Sequence, residues 1–354
     1  MLALLHIPLW PAGHLPHKGG DRAGRLLRHL FCKADEWRKQ ARSPISPLVG
    51  EMAGRPEGGA KGRTGYFLLL FVALLGFFAV PAFSLELGPF KDSLFAYPRT
   101  LQEGDGGDYR VVDYREMRDI NGRDAVPERR VQGRYISTDI RRMQRDLVLG
   151  TSAGKIPHFA VGTTENARAI TVYLHGQGGN RRQGMDDFAF GGNFNRIKNL
   201  MGRNGGLYLS PDFSDFGEKG AREVAALLAY YAARSPSAPI FVACGSMGGA
   251  ICWKIAQTDS LVGRLGGFLL LGSLWDETFL NSPAFRNRVP VFFGHGSRDT
   301  VFLVESQEAF FRTIRKRAPG YPARFVRFET GSHGTPIRMT DWRETLNWML
   351  SLRG

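Results

Sequence analysis

From residue 169 to the C-terminus the chain alternates short, almost wholly apolar runs with longer amphipathic ones, and this alternation limits its fold more than any other feature. The apolar runs fall at 169–174 (AITVYL), 206–209, 239–243 (PIFVA), 268–271 (FLLL), 289–294 (VPVFFG) and 325–328. Runs this short, with no polar side, read as strands buried on both faces. The segments between them, at 194–201, 218–233, 249–257, 304–317 and 341–352, have helical length and spacing. Such strands alternating with helices give a mainly parallel α/β sheet covered by helices on both faces. Upstream, 109–114 (YRVVDY), 131–136 and 156–161 also read as strands, and Asn121-Gly122 marks a turn between the first two. One α/β domain can run to about 250 residues, so residues 85–354 are expected to form a single domain.

Composition narrows the classes of function. Hydrophobic residues make up 43% and charged residues 23% of the chain, which excludes a largely disordered or collagen-like protein. Three cysteines, Cys32, Cys244 and Cys252, exclude a disulfide-stapled scaffold. The net charge is +14, but residues 85–354 carry 36 basic and 28 acidic groups, a surplus of 8. That surplus permits weak attraction to anionic membranes or substrates. It does not demand nucleic acid, and no basic-aromatic recognition motif is present. Arg129, Arg130, Arg134, Arg141, Arg142 and Arg145 read as a solvated surface, with contact to lipid headgroups as the alternative.

Residues 66–80 (YFLLLFVALLGFFAV) form an uncharged run of 15. Arg55, Lys61 and Arg63 precede it, and Pro81-Ala82-Phe83-Ser84 follows. A basic region, an apolar stretch of this length and small residues near a cut site define a secretory signal, with cleavage after Ala82 or Ser84. A spanning helix needs about 20 apolar residues. Counted through Phe83 the run reaches 18, so a retained anchor at 66–83 is one alternative and a buried core helix another. With cleavage or anchoring alike, residues 85–354 are expected outside the cytoplasm, periplasmic or anchored to the membrane. Residues 1–65 are rich in Gly, Pro and Arg and show no periodicity. They are expected to be a disordered tail or, with Met52 as the true start, to lie mostly upstream of translation.

The chemistry gathers at strand ends. Cys244-Gly245-Ser246-Met247-Gly248-Gly249 joins the 239–243 strand to the helix after it. Strand, sharp turn and helix are the setting of a nucleophile elbow, which lifts Ser246 Oγ clear of the sheet. The helix N-terminus offers N–H groups and the positive end of its dipole to a developing oxyanion. Gly248 lets helix and strand pack closely. Cys244 stands where the G-x-S-x-G pattern has its first glycine, and is small enough for the turn. Leu174-His175-Gly176-Gln177-Gly178-Gly179 follows another buried strand. Its glycines let backbone approach a substrate, and it lacks the G-K-[ST] of a phosphate loop.

Asp299, in HGSRD at the end of the next-to-last strand, can accept from a histidine Nδ1–H and fix its tautomer. Asp276, after the preceding strand, is the rival acid. His333, in GSHG just after the last strand, can take a proton from Ser246 and return it to a leaving group. His175 and His295 sit beside glycine loops and read as structural, with His175 able to line the oxyanion site. Cys244 and Cys252 are expected as free buried thiols, because neither lies in a freely adjustable loop. No His, Cys, Asp or Glu group has zinc-ligand spacing, so neither metal nor cofactor is expected.

Taken together, LHGQGG, CGSMGG, HGSRDTV and GSHG make residues 165–354 resemble the α/β-hydrolase superfamily, above all its carboxylesterase, lysophospholipase and peptidase-like branches. The resemblance implies a mainly parallel, eight-stranded-type α/β sheet with helices on both faces. It also implies a Ser246–His333–Asp299 triad, with Gln177 and Met247 N–H groups as the oxyanion hole. A cap domain is often inserted between the 268–271 and 289–294 strands of this family. The 16 residues of 273–288 are too few, so no large cap is expected. Trp275, Phe279 and Phe285 in that stretch can wall an acyl pocket or serve as core. The implied reaction is hydrolysis of a carboxylic ester, thioester or amide through an acyl-enzyme, with a small ester, lipid or peptide as substrate. An acyltransferase shares that intermediate, and a non-catalytic exported binding protein on the same fold is a further alternative.

Overall fold

The computed structural model describes residues 85–126 and 130–353. The expectations for residues 1–84, the export segment included, and for Arg129 lie outside the described residues. The described residues form twelve strands: β1 Thr100–Gly104, β2 Tyr109–Val112, β3 Asp124–Val126, β4 Arg130–Val131, β5 Gln144–Thr151, β6 Gly154–Gly162, β7 Ile170–Leu174, β8 Leu207–Pro211, β9 Ile240–Gly245, β10 Leu265–Leu271, β11 Val291–Gly296 and β12 Ala323–Phe328. Ten of them build one sheet in the order β1-β2-β12-β11-β10-β9-β7-β8-β6-β5. From β2 through β8 in that order every neighbouring pair is parallel. The pairs β1–β2, β6–β8 and β5–β6 are antiparallel. The chain therefore has an α/β-hydrolase fold, in which β5 to β12 supply the expected eight strands and β1 and β2 extend the β12 edge.

That extension corrects one expectation. The strands on either side of Asn121-Gly122 do not pair with each other. Asn121–Arg123 is a 3-10 turn, and Val131 belongs to the two-residue β4, which pairs with β3. The sequence YRVV of β2 offers apolar side chains to both faces, and a place beside β12 buries Tyr109, Val111 and Val112. A hairpin with the exposed Gly133-Arg134 segment would not.

Six helices matter for the site: α1 Asn193–Arg203, α2 Glu218–Arg234, α3 Gly249–Ala256, α4 Val304–Arg317, α5 Thr335–Met339 and α6 Trp342–Ser351. Successive strand residues point to opposite faces, and the buried residues divide accordingly. Val172, Leu174, Val242, Phe268 and Leu270 pack with Leu227, Ile251, Phe310 and Ile314 of α2, α3 and α4. Tyr173, Phe241, Ala243, Leu269 and Leu271 pack with Phe194, Ile197, Trp342 and Leu346 of α1 and α6. Each large side chain so buried contributes roughly 1.5–3 kcal/mol. The first described residues are bound to α6: Leu87 N–H donates to Asn347 Oδ1 at 2.8 Å, and Arg343 Nε donates to Leu87 O at 2.7 Å.

Between β10 and β11 the chain makes only a 3-10 turn, Glu277–Asn281, and the short helix Pro283–Arg286, so no cap covers the sheet there. Phe279 is buried, and Phe285 stacks on Tyr321 at 4.9 Å. Both are core. Among the described residues no helix is long and apolar enough to cross a membrane.

Candidate active site

Strand β9 runs into a 3-10 turn, Ser246–Gly248, and then into α3. Ser246 sits at φ 52, in the left-handed region that a serine adopts only when its surroundings hold it there. Here they do. Ser246 O accepts from Ser273 Oγ at 2.7 Å and from Leu274 N–H at 3.2 Å. Gly248 is forced: a Cβ on it would lie 2.5 Å from Leu174 O at the end of β7. The close packing of elbow and strand expected of this glycine is therefore real. Cys244, the last residue but one of β9, is joined by a disulfide to Cys252 on α3. The expectation of free thiols fails at this point. The turn folds the first helical residues back over the strand end, and a Cα–Cα distance of 6.4 Å is within bonding range.

The three residues from distant parts of the chain meet. His333 Nε2 lies 2.9 Å from Ser246 Oγ, and His333 Nδ1 lies 2.8 Å from Asp299 Oδ2. With Asp299 ionised, Nδ1 carries the proton and donates to it, which leaves Nε2 to accept from the serine hydroxyl. Asp276 is elsewhere. Its carboxylate caps the Glu277–Asn281 turn by accepting from Thr278 N–H at 2.8 Å.

Asp299 is buried and accepts four hydrogen bonds. Oδ1 takes Val301 N–H at 2.8 Å and Phe302 N–H at 3.0 Å. Oδ2 takes His333 and, at 3.2 Å, His295 Nε2. Burial on its own would raise the carboxyl pKa. The bonds from His295, His333 and the Phe302 amide outweigh it and hold the group well below the usual carboxylate range. His295, expected as a structural residue, is a direct neighbour of Asp299 that the sequence did not place there. Its Nε2–H is shared between Asp299 Oδ2 and Phe302 O, the latter at 2.7 Å. The four-residue step from His295 to Asp299 was visible, but nothing in it says that the loop folds back to bring the two side chains together.

The loop after β7 lies against Ser246. A Cβ on Gly176 would be 2.7 Å from Ser246 Cβ, so only glycine fits. The Gln177 and Met247 N–H groups, expected to form the oxyanion hole, have no acceptor among the described residues. Gln177 follows the glycine that abuts Ser246, and Met247 is the first residue after it. His175 is buried. Its ring stacks on Phe213 at 4.3 Å, and its Nδ1 donates to Gly176 O at 2.9 Å. Burial pushes its pKa below the ordinary histidine value, against the smaller opposing effect of that bond, so the ring is neutral at pH 7.

An apolar group of side chains flanks His333. The Phe302 ring is 5.7 Å from His333 and 6.4 Å from Trp275. Val301 and Leu303, on either side of Phe302, are 54% and 59% exposed. Of the three aromatic candidates in the 273–288 stretch, only Trp275 comes near the site. Among the described residues no group of His, Cys, Asp and Glu could hold a metal ion. Of the basic stretch, Arg130, Arg134, Arg141, Arg142 and Arg145 are exposed, as a solvated surface requires.

No family model matches this chain, and no curated protein does. Among solved structures, it is similar to an α/β serine hydrolase homologue from Coxiella burnetii, at 17% identity over 57% of this chain and 95% of that one, with a TM-score of 0.44. It is also similar to a lidless serine hydrolase from Xanthomonas campestris, at 13% identity over 59% and 94%, with a TM-score of 0.43. An esterase of Pyrococcus furiosus matches at 16% identity over 63% and 97%, with a TM-score of 0.44. Likeness at this level assigns no chemistry to this chain, whose own residues have to be read.

Proposed function

We propose that the chain is a serine hydrolase that cleaves a carboxylic ester with an apolar acyl group through an acyl-enzyme on Ser246. The observation that carries this reading is His333 set between Ser246 Oγ and Asp299, at 2.9 and 2.8 Å. A binding module needs no such chain of three, and no strained serine at its head. The apolar rim of Trp275, Val301, Phe302 and Leu303 supports an apolar acyl group rather than a charged one. The missing cap supports a substrate that reaches the serine directly from solvent.

In this reading Ser246 Oγ attacks the ester carbonyl carbon while His333 Nε2 takes its proton. The carbonyl oxygen becomes an oxyanion and is held by the Gln177 and Met247 N–H groups. The C–O bond then breaks, and the alcohol leaves with the proton from His333. Water repeats the sequence on the acyl-enzyme, releasing the acid and restoring Ser246. Asp299 keeps the Nδ1 tautomer and stabilises the imidazolium without itself taking a proton.

The proposal includes export, by cleavage after Ala82 or Ser84 or by retention of 66–83 as an anchor. A buried Cys244–Cys252 disulfide beside the nucleophile supports an oxidising compartment. The test of function is turnover of p-nitrophenyl esters of increasing acyl length by wild type and Ser246→Ala. Activity that rises with acyl length and vanishes in the variant is expected. Equal turnover by the two proteins would remove the reading.

A further inference from the structure

We propose that a second site, on a surface lined by residues of 93–123 and by Tyr135 and distinct from the triad, binds a phosphate group. It is a cleft of about 410 Å³ whose lining includes Arg99, Arg118, Asp119, Arg123 and Tyr135, and it contains no triad residue. Its charge balance is positive. Asp119 is already compensated, since Arg118 donates to both its oxygens at 2.7 and 2.8 Å and Arg115 N–H bonds it as well. Among the described residues neither Arg99 nor Arg123 makes an ion pair.

Arg123 makes the case. It is only 6% exposed, yet its guanidinium donates no hydrogen bond among the described residues. Nη1 is fully enclosed without an acceptor, and the N–H groups on Nε and Nη2 have none either. The side chain is held by its faces instead. It stands over the rings of Phe95 and Tyr135 at 5.3 and 5.7 Å. Cation–π contact satisfies the flat faces of a guanidinium and leaves its N–H edge free. Burial costs an unpaired charge heavily, and Arg196, itself over Phe95 at 4.8 Å, adds a like charge nearby. Burial first, with Arg196 in the same direction, outweighs the opposing effects of Tyr135 and Asp119 and holds the Arg123 pKa below the ordinary arginine value. A buried, oriented fork of donors with no acceptor, next to a second free arginine, matches an oxyanion that can take two parallel N–H bonds. A phosphate group meets that need, whether as the free ion or at the head of a lipid.

The experiment titrates purified protein with inorganic phosphate at constant ionic strength against chloride, following thermal shift and calorimetric heat. The same proteins are then sedimented with phosphatidylcholine vesicles with and without phosphatidic acid. Saturable phosphate binding is expected in the wild type. It should weaken at least ~10-fold in Arg123→Met, which keeps the packed stem, from loss of charge-assisted bonds. The exposed rim variant Arg99→Ala cannot disturb the core, and should weaken binding less. Binding to phosphatidic acid vesicles that free phosphate displaces and Arg123→Met abolishes identifies a lipid headgroup. Phosphate binding without vesicle binding identifies the free ion. Phosphate that acts equally on the wild type and both variants, or no better than chloride, overturns the proposal. Ester turnover is independent of this outcome, because none of these residues touches Ser246.

Discussion

Replacing Asp299 by asparagine exchanges one carboxylate oxygen for a donor at nearly constant volume. The structure decides which oxygen. If the amide nitrogen took the place of Oδ1, the Val301 and Phe302 N–H groups, now at 2.8 and 3.0 Å, would lose their acceptor. Two buried amides without partners cost about 1–3 kcal/mol each. The nitrogen therefore takes the place of Oδ2, where His295 can keep its 2.7 Å bond to Phe302 O. It then faces His333 Nδ1, which has to become an acceptor, and the imidazole proton moves to Nε2. A protonated Nε2 cannot accept from Ser246 Oγ. The wrong tautomer costs ~10⁴ in kcat, about 5.5 kcal/mol of transition-state stabilisation. The assay is initial-rate kinetics on a p-nitrophenyl ester, with circular dichroism to show the fold retained. A kcat close to that of the wild type would refute the tautomer argument. Loss of activity in Asp276→Asn with a live Asp299→Asn would hand the role to Asp276.

Three further outcomes follow from the same geometry. His295→Leu removes one of the two donors on Asp299 Oδ2, a charge-assisted bond of about 1.5–3 kcal/mol; kcat should fall ~10- to 100-fold and recover in His295→Gln, whose amide can still donate, and unchanged kinetics in both variants would make His295 a packing residue only. The Cys244–Cys252 pair closes a loop of sequence separation 8, worth about 2.5 kcal/mol by the chain-entropy relation; a strong phosphine reductant, or Cys244→Ala with Cys252→Ala, should lower Tm, and an identical Tm would argue that the pair contributes nothing. The low pKa of Asp299 adds stability that is complete above the unfolded value of about 3.9 and is lost as pH falls through the folded one; Asp299→Asn should flatten the acid limb of Tm against pH, and superimposable limbs would contradict that.

The parallel strands were legible because each is apolar on both faces, and the helices between them because their periodicity is strong. The edges were not. β5 begins Gln144-Arg145-Asp146 and alternates in burial as an edge strand does, so its polar start hid it. β2 was legible as a strand, but its partner was not, because pairing depends on which apolar edge is free in three dimensions. The elbow, its glycine contacts and the Asp299–His333 bond could be anticipated because each lies at a strand end. His295 and the disulfide could not, because both depend on how a loop or turn folds back on itself. Arg123 was beyond reach altogether, since its lack of an acceptor among the described residues is a fact of packing.

The central claim is that Ser246 is the nucleophile, and covalent capture tests it most directly. The protein is treated with a fluorophosphonate, weighed intact and digested, and the modified residue is located by tandem mass spectrometry. One adduct per chain on Ser246, absent from Ser246→Ala and strongly slowed in His333→Ala, is the result predicted. An adduct on another residue, or Ser246→Ala labelling and turning over ester like the wild type, would contradict it.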